Sequence, residues 1–263
     1  MKPVALRLVS LLVFILVGRM LAAEDLARRT WSVDGVTRDA MVHLPVTAAP
    51  GGAPIVFVFH GHGGTMKQAA RTMDIHRHWP EAIVVYPQGL PTAGQLVDRE
   101  GRQSGWQSTA GAGEDRDLKF FDAMYADLLG KCRFDDKRVY ATGHSNGGVF
   151  TYLLWAQRGD KFAAVAPSAG VLPRGLSDLR PKPVLHVGSP DDTLVKFSWQ
   201  ERMIDEVLRL NGCGPRQPTA IGYTVYPSSN GAETATFLHA GGHRYSAEAP
   251  ELIVRFFQAH RAP

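Results

Sequence analysis

Two short stretches are apolar at every position, Pro54 to Phe59 (Pro-Ile-Val-Phe-Val-Phe) and Ala82 to Tyr86 (Ala-Ile-Val-Val-Tyr). A strand with one wet face alternates polar and apolar residues, so an unbroken run implies burial on both faces. Val139 to Thr142, Phe162 to Ala166, Pro183 to Val187 and Thr234 to Leu238 continue the series. Between these runs apolar residues recur at helical spacing: Leu118, Phe121, Tyr125 and Leu128, then Met203, Ile204, Val207 and Leu208, then Leu252, Ile253, Phe256 and Phe257. Glu114, Asp115 and Asp117 open the first of these helices, where the helix dipole favours negative charge. Buried strands alternating with amphipathic helices predict an α/β fold, a mostly parallel sheet with helices on both faces. Thr30 to Pro45, with Asp34-Gly35 as its turn, reads as an edge hairpin.

The first segment reads as an address rather than as structure. Lys2 and Arg7 precede the apolar stretch Leu8 to Val17, and Ala22-Ala23 lead into Glu24-Asp25. That order predicts a signal peptide over 1–23 and a secreted or periplasmic protein. Arg19 interrupts the run before the ~20 residues a bilayer span needs, so no stable membrane association is expected after cleavage. The 263-residue chain carries a formal charge of +4, which alone invites a nucleic-acid partner. Without residues 1–23 it has 26 basic against 25 acidic residues, and that reading loses its support. No linker composition divides the remainder, so one domain over 24–263 is expected. Export also permits a Cys132–Cys213 bridge, with two separate thiols as the alternative.

Gly143-His144-Ser145-Asn146-Gly147-Gly148 lies between a buried strand and the apolar positions Val149, Phe150, Leu153 and Leu154. Such a G-x-S-x-G turn from strand to helix presents its serine in a strained conformation as a nucleophile, with the helix N-terminus offering N–H groups to a developing oxyanion. A serine hydroxyl needs a base and a group to orient that base. Asp191 and Asp192 both follow the run ending at Val187, and Asp191 is favoured as the acid, with Asp192 as a turn or cap residue. His243 follows Gly241-Gly242 after the last strand and is favoured as the base over His239 and His260. The loop His60-Gly61-His62-Gly63-Gly64 matches an H-G-G-G-type element, so the backbone N–H groups of His62 and Asn146 are the expected oxyanion hole. The long stretch Gln88 to Gly113 is expected to line a site, with Trp106 as a substrate-binding platform. His60-x-His62 and His76-x-His78 lack the H-E-x-x-H or cysteine context of zinc sites, so no catalytic metal is expected, nor a cofactor, while calcium or another structural ion stays open.

With these residues in place the chain resembles the secreted α/β-hydrolase esterases grouped with polyhydroxybutyrate depolymerases and feruloyl or acetylxylan esterases. The similarity runs from about Thr30 to the end. It rests on Pro54-Ile-Val-Phe-Val-Phe-His60-Gly61, Tyr86-Pro-Gln-Gly89, Trp106, Asp117-Leu-Lys-Phe120, the segment Asp135 to Gly148, Gly188-Ser-Pro-Asp191, Asn211-Gly-Cys213 and Gly241-Gly-His243. It implies an α/β-hydrolase fold and a serine esterase working through Ser145, Asp191 and His243. The implied partner is a small-molecule or polymeric ester, of feruloyl, acetyl or hydroxyalkanoate type. Departures fall near the pocket: His62 stands where the family often has cysteine or alanine, Arg244-Tyr245 where a tryptophan often follows, and Tyr226 to Gly231 holds no cysteine to pair with Cys213. A serine peptidase of the same fold and a non-catalytic hydrolase-like binding protein are the alternatives.

Overall fold

The computed structural model describes residues 26–47, 50–94, 96–173 and 179–263; the expected leader, 1–23, lies outside them. The first two strands, β1 (Ala27–Val33) and β2 (Val36–His43), form the expected hairpin, with Asp34 (φ 50°) and Gly35 (φ 78°) both in the left-handed region that a tight hairpin turn requires. Then come β3 (Ala53–Phe59), the short helices α1 (Met66–Thr72) and α2 (Ile75–His78), and β4 (Ile83–Pro87). A two-residue ladder, β5 (Leu90–Pro91) with β6 (Ser104–Gly105), closes the base of the long loop before α3 (Arg116–Lys131). The chain continues through β7 (Phe134–His144), α4 (Asn146–Arg158), β8 (Ala164–Ser168), β9 (Val184–Gly188) and α5 (Phe197–Leu210). It ends with β10 (Gln217–Ala220), β11 (Tyr223–Tyr226), β12 (Thr234–Leu238) and α6 (Ala249–Ala259).

Among the described residues ten strands make one sheet in the order β1-β2-β4-β3-β7-β8-β9-β12-β11-β10. From β4 to β12 every pairing is parallel, and both ends are antiparallel. The unbroken apolar runs now have their cause. In β3, Ile55, Phe57 and Phe59 point into a core shared with Leu118, Phe121, Phe150 and Met203 of α3, α4 and α5. Val56 and Val58 point the other way, among Met66, Ile75, Ile253 and Phe257 of α1, α2 and α6. In β3 each side chain meets a helix on its own side, so no position there is left for a polar residue.

Differences from expectation are local. The strand expected over Phe162 to Ala166 begins two residues later, because Phe162 closes a short helical turn by donating its N–H to the Gly159 carbonyl. The β10–β11 hairpin has no signature in the sequence, since β10 is exposed throughout and β11 half-buried. Cys132 and Cys213 are both free thiols, so the two-thiol alternative describes this structure. Among the described residues no helix is long and apolar enough to cross a membrane.

Candidate active site

Four parallel strands deliver the site at their C-terminal ends: β3 leads into His60, β7 into Ser145, β9 into the Asp191-Asp192 loop and β12 into His243. Ser145 has φ 56° and ψ −118°, a conformation costly for any residue with a Cβ, and its N–H donates to the Ser168 carbonyl at 2.8 Å. The neighbouring glycines make room for this bend. A Cβ on Gly143 would lie 2.4 Å from the Gly147 carbonyl oxygen, and one on Gly147 would lie 2.2 Å from that of Phe59.

The His243 ring bridges two partners, with Nε2 2.7 Å from Ser145 Oγ and Nδ1 2.8 Å from Asp192 Oδ2. The aspartate is therefore Asp192, not the expected Asp191. Asp192 N–H donates to the Ser189 carbonyl at 3.0 Å, closing a turn that carries Asp191 outward to an exposed position. Asp192 leaves that turn pointing inward, and its side chain is wholly buried. Its Oδ1 accepts from the N–H groups of Leu194 and Val195, both at 3.0 Å. Of the two roles expected for Asp192 the turn is the one seen, since the next helix starts at Phe197 with Lys196 as its N-cap, and it belongs to the same carboxylate that holds His243. Of the other two histidines considered, His239 N–H donates to the Gly188 carbonyl and His260 Nδ1 to the Phe256 carbonyl.

The strongly bonded carboxylate accepts the Nδ1–H of His243, which leaves Nε2 free to accept the serine proton. Further bonds hold the parts together. Ser189 Oγ accepts the Gly242 N–H at 3.1 Å, joining the acid loop to the histidine loop. His144, the residue before the serine, sends Nε2–H to the His243 carbonyl at 3.0 Å. Sequence reasoning gives His144 no role, and only its place beside the serine hints at this contact.

His62 and Asn146 line the same cavity as Ser145. The Asn146 N–H belongs to the first turn of α4, where no intrahelical acceptor exists. The position for a Cβ on Gly61 is 3.5 Å from Ser145 Cβ, which puts the His62 loop directly beside Ser145. The Asn146 side chain also clamps the long loop, where Oδ1 accepts the Trp106 N–H at 2.6 Å and Nδ2 donates to the Trp106 carbonyl at 2.9 Å. The His62 ring packs against Gly94 and Gly105, with Nε2 3.1 Å from Asp98 Oδ2. The Gln103 N–H, followed by the His62 contact, keeps the Asp98 carboxyl below its usual range.

Trp106 is not an open platform. It is 1% exposed, its Nε1–H donates to the His60 carbonyl at 2.9 Å, and it stacks on Phe150 at 5.4 Å. It is among the residues that line the cavity. Trp106→Ala is expected to cost about 3–5 kcal/mol, which for a domain this size lowers Tm by about 10 °C. Thermal unfolding checks this; a variant with wild-type Tm and a raised KM would restore the platform role.

The long loop does line the cavity, which measures about 350 Å³ and is walled by Leu96, Val97, Val149, Val171, Leu194 and Trp199. Its base is braced by a buried ion pair, Arg38 to Asp117 at 2.8 Å, with Asp117 also accepting the Gln107 N–H at 2.9 Å. The His-x-His pairs have separate partners: His60 meets the Gly61 carbonyl and Gly89 N–H, His62 meets Asp98, His76 meets Tyr86 and His78 meets Asp74. Among the described residues no three His, Cys, Asp or Glu side chains converge to hold a metal.

Burial lowers the pKa of His60, of His144 and of His186 on β9 to about 4 each. These folded-state values lie below the ordinary 6.5, so the unfolded chain binds more protons between the two. Their contribution to stability is full above pH 6.5 and is lost as pH falls toward 4. Each adds at most about 1.4 kcal/mol per pH unit to the slope. Denaturant unfolding between pH 7 and 4.5 should show falling stability, and a flat profile would contradict neutral, buried rings.

Known proteins resemble this chain to differing extents. The sequence profile of the prolyl oligopeptidase family matches residues 115–205. NocK of Nocardia uniformis subsp. tsuyamanensis, named an esterase, is 31% identical over 68% of this chain. The chain spans 52% of NocK's length, about half. Feruloyl esterase C of Emericella nidulans is 27% identical, covering 78% of this chain and 77% of its own. Among solved structures, an acetyl xylan esterase from Aspergillus awamori superposes with a TM-score of 0.66 at 12% identity, over 88% of this chain and 99% of its own.

Proposed function

We propose, from the premise that the chain is an α/β-hydrolase with esterases as its relatives, that it is a serine carboxylic ester hydrolase working through an acyl-enzyme. The observation that carries this reading is the His243 ring, bonded to Asp192 at 2.8 Å and to Ser145 Oγ at 2.7 Å, with Ser145 on the wall of an apolar cavity. In this mechanism His243 Nε2 takes the Ser145 proton as Oγ attacks the ester carbonyl. The N–H groups of His62 and Asn146 receive the oxyanion. The imidazolium, held by Asp192, then returns its proton to the leaving alcohol, and water enters by the same base to release the acid.

The cavity favours larger acyl groups over acetyl. Leu96, Val97, Val149, Val171 and Leu194 offer much more apolar wall than an acetyl group can cover, and Trp199 adds an aromatic face. A hydroxycinnamoyl group of the feruloyl type fits that wall better than acetyl, and so does a medium hydroxyalkanoyl chain. Export of the mature enzyme over 24–263 belongs to the same reading, and the composition of the first 23 residues supports it.

The prolyl oligopeptidase match over the elbow and the acid loop favours a second reading, a serine peptidase of the same fold. One panel separates them: methyl hydroxycinnamates, acetyl sugars, hydroxybutyrate oligomers and peptide anilides. Turnover of hydroxycinnamates at the highest kcat/KM, with the anilides untouched, is expected. Preference for the anilides would establish the peptidase, and failure on every ester would end the proposal.

A further inference from the structure

A buried chain of hydrogen bonds continues past the acid. Gln200 on α5 donates from Nε2 to Asp192 Oδ2 at 3.0 Å and to the Val195 carbonyl at 2.7 Å. Its Oε1 is 3.2 Å from His186 Nε2, and His186 Nδ1 is 2.8 Å from the Tyr152 hydroxyl on α4. Gln200, His186 and Tyr152 are all at most 1% exposed, so bulk water offers no alternative partner.

The direction of every bond follows from chemistry. Both groups facing the Gln200 NH₂ are pure acceptors, a carboxylate and a carbonyl, so the amide cannot be flipped. Its oxygen must then accept, which puts the His186 proton on Nε2. His186 Nδ1 becomes an acceptor, and the Tyr152 O–H donates to it. Burial keeps His186 neutral, lowering its pKa to about 4, and holds the Tyr152 phenol well above its usual range. All donors therefore point toward Asp192.

We infer that Gln200 is a positioning residue for the acid of the triad, oriented by His186 and Tyr152. It fixes Asp192 Oδ2 against His243 and shares the charge of that oxygen. Gln200 touches neither Ser145 nor the cavity, and nothing in the triad itself requires it. The inference rests on the esterase reading above, because it concerns how well Asp192 serves His243.

Two titratable groups face His243, Asp192 on its Nδ1 side and His144 with ring centroids 5.1 Å apart, and His239, just past β12, is coupled electrostatically to those two. Only the first is touched by Gln200. Removing the Gln200 donor leaves more charge on Oδ2, which favours protonated His243 and moves the acid limb of the kcat/KM profile to higher pH. Gln200→Met should lower kcat about ten- to a hundredfold with little change in KM. Gln200→Glu, of the same shape but with a second carboxylate beside Asp192, should move the acid limb further in the same direction.

The test is ester kinetics against pH for these variants and for Ser145→Ala, with Tm for each, and ¹⁵N-histidine spectra of the wild-type protein. Expected are lowered kcat, a shifted acid limb and a neutral His186 protonated on Nε2. A variant with lowered Tm but wild-type kcat and pH profile would make the network structural only and overturn the inference. If Gln200→Met does not fold, the Glu variant and the His186 tautomer decide, and an Nδ1–H tautomer overturns it. Activity remaining in Ser145→Ala would instead overturn the esterase mechanism itself.

Discussion

Ser145→Ala is expected to lower kcat toward an ester by about 10⁴- to 10⁶-fold, with KM nearly unchanged. The hydroxyl is the only group removed, and the oxyanion donors and the cavity remain, so substrate still binds while no acyl-enzyme forms. A second variant makes the prediction sharper. The serine occupies φ 56°, ψ −118°, a conformation that costs a residue with a Cβ about 1–3 kcal/mol and costs glycine little. Ser145→Gly should therefore be as inactive as Ser145→Ala yet more stable, with Tm raised by about 2–4 °C for each kcal/mol relieved. Strain kept at the site is then seen directly as stability exchanged for activity. Equal Tm in the two variants would show that the elbow holds no such strain.

Asp192→Asn should lower kcat by about 10⁴-fold, the scale seen when a triad carboxylate becomes an amide, whereas Asp191→Asn should stay within about twofold. The asparagine can still accept the Leu194 and Val195 N–H groups through Oδ1, so the loop has reason to keep its shape. Its NH₂ would instead face His243 Nδ1 and the Gln200 NH₂. Nδ1 would have to become an acceptor, the proton would move to Nε2, and the ring could no longer take the serine proton. Asp191 is exposed and its side chain makes no bond to His243. The reverse result, a severe loss at Asp191 and a mild one at Asp192, would remove the acid assignment.

These two aspartates also mark where the sequence stops being informative. The β9 run and its loop locate the acid to within one residue, because position after a buried strand is a one-dimensional property. Choosing between neighbours depends on which way a turn faces, and that is decided by the Asp192 N–H bond to Ser189 and by Gln200 eight residues on. Asp192 reads as a turn or cap residue in the sequence, and it holds the turn that precedes α5. Holding a turn and orienting a base are simply not exclusive, since a carboxylate has two oxygens to divide between them.

Trp106 departs from expectation for a related reason. The long loop is legible as site-forming from its length and lack of periodicity, and it does wall the cavity. Nothing in its sequence says that Asn146 clamps the Trp106 backbone and turns the ring inward onto Phe150. Short helices α1 and α2 escape a sequence reading because seven and four residues give no measurable period. The exposed β10–β11 hairpin escapes it because its strands, unlike β3, bury neither face completely. By contrast the central strands and the long helices are legible, since burial on both sheet faces leaves an unbroken apolar signature.

The central claim is that Ser145 becomes acylated with His243 and Asp192 as its base and acid. The most direct measurement is covalent labelling with an aryl phosphonate ester, followed by mass spectrometry of the digested protein. The account predicts a single adduct, on the peptide containing Ser145, formed at least a hundredfold more slowly in Asp192→Asn, on the order expected for loss of base orientation. An adduct on any other residue, or labelling of Asp192→Asn at the wild-type rate, would contradict it.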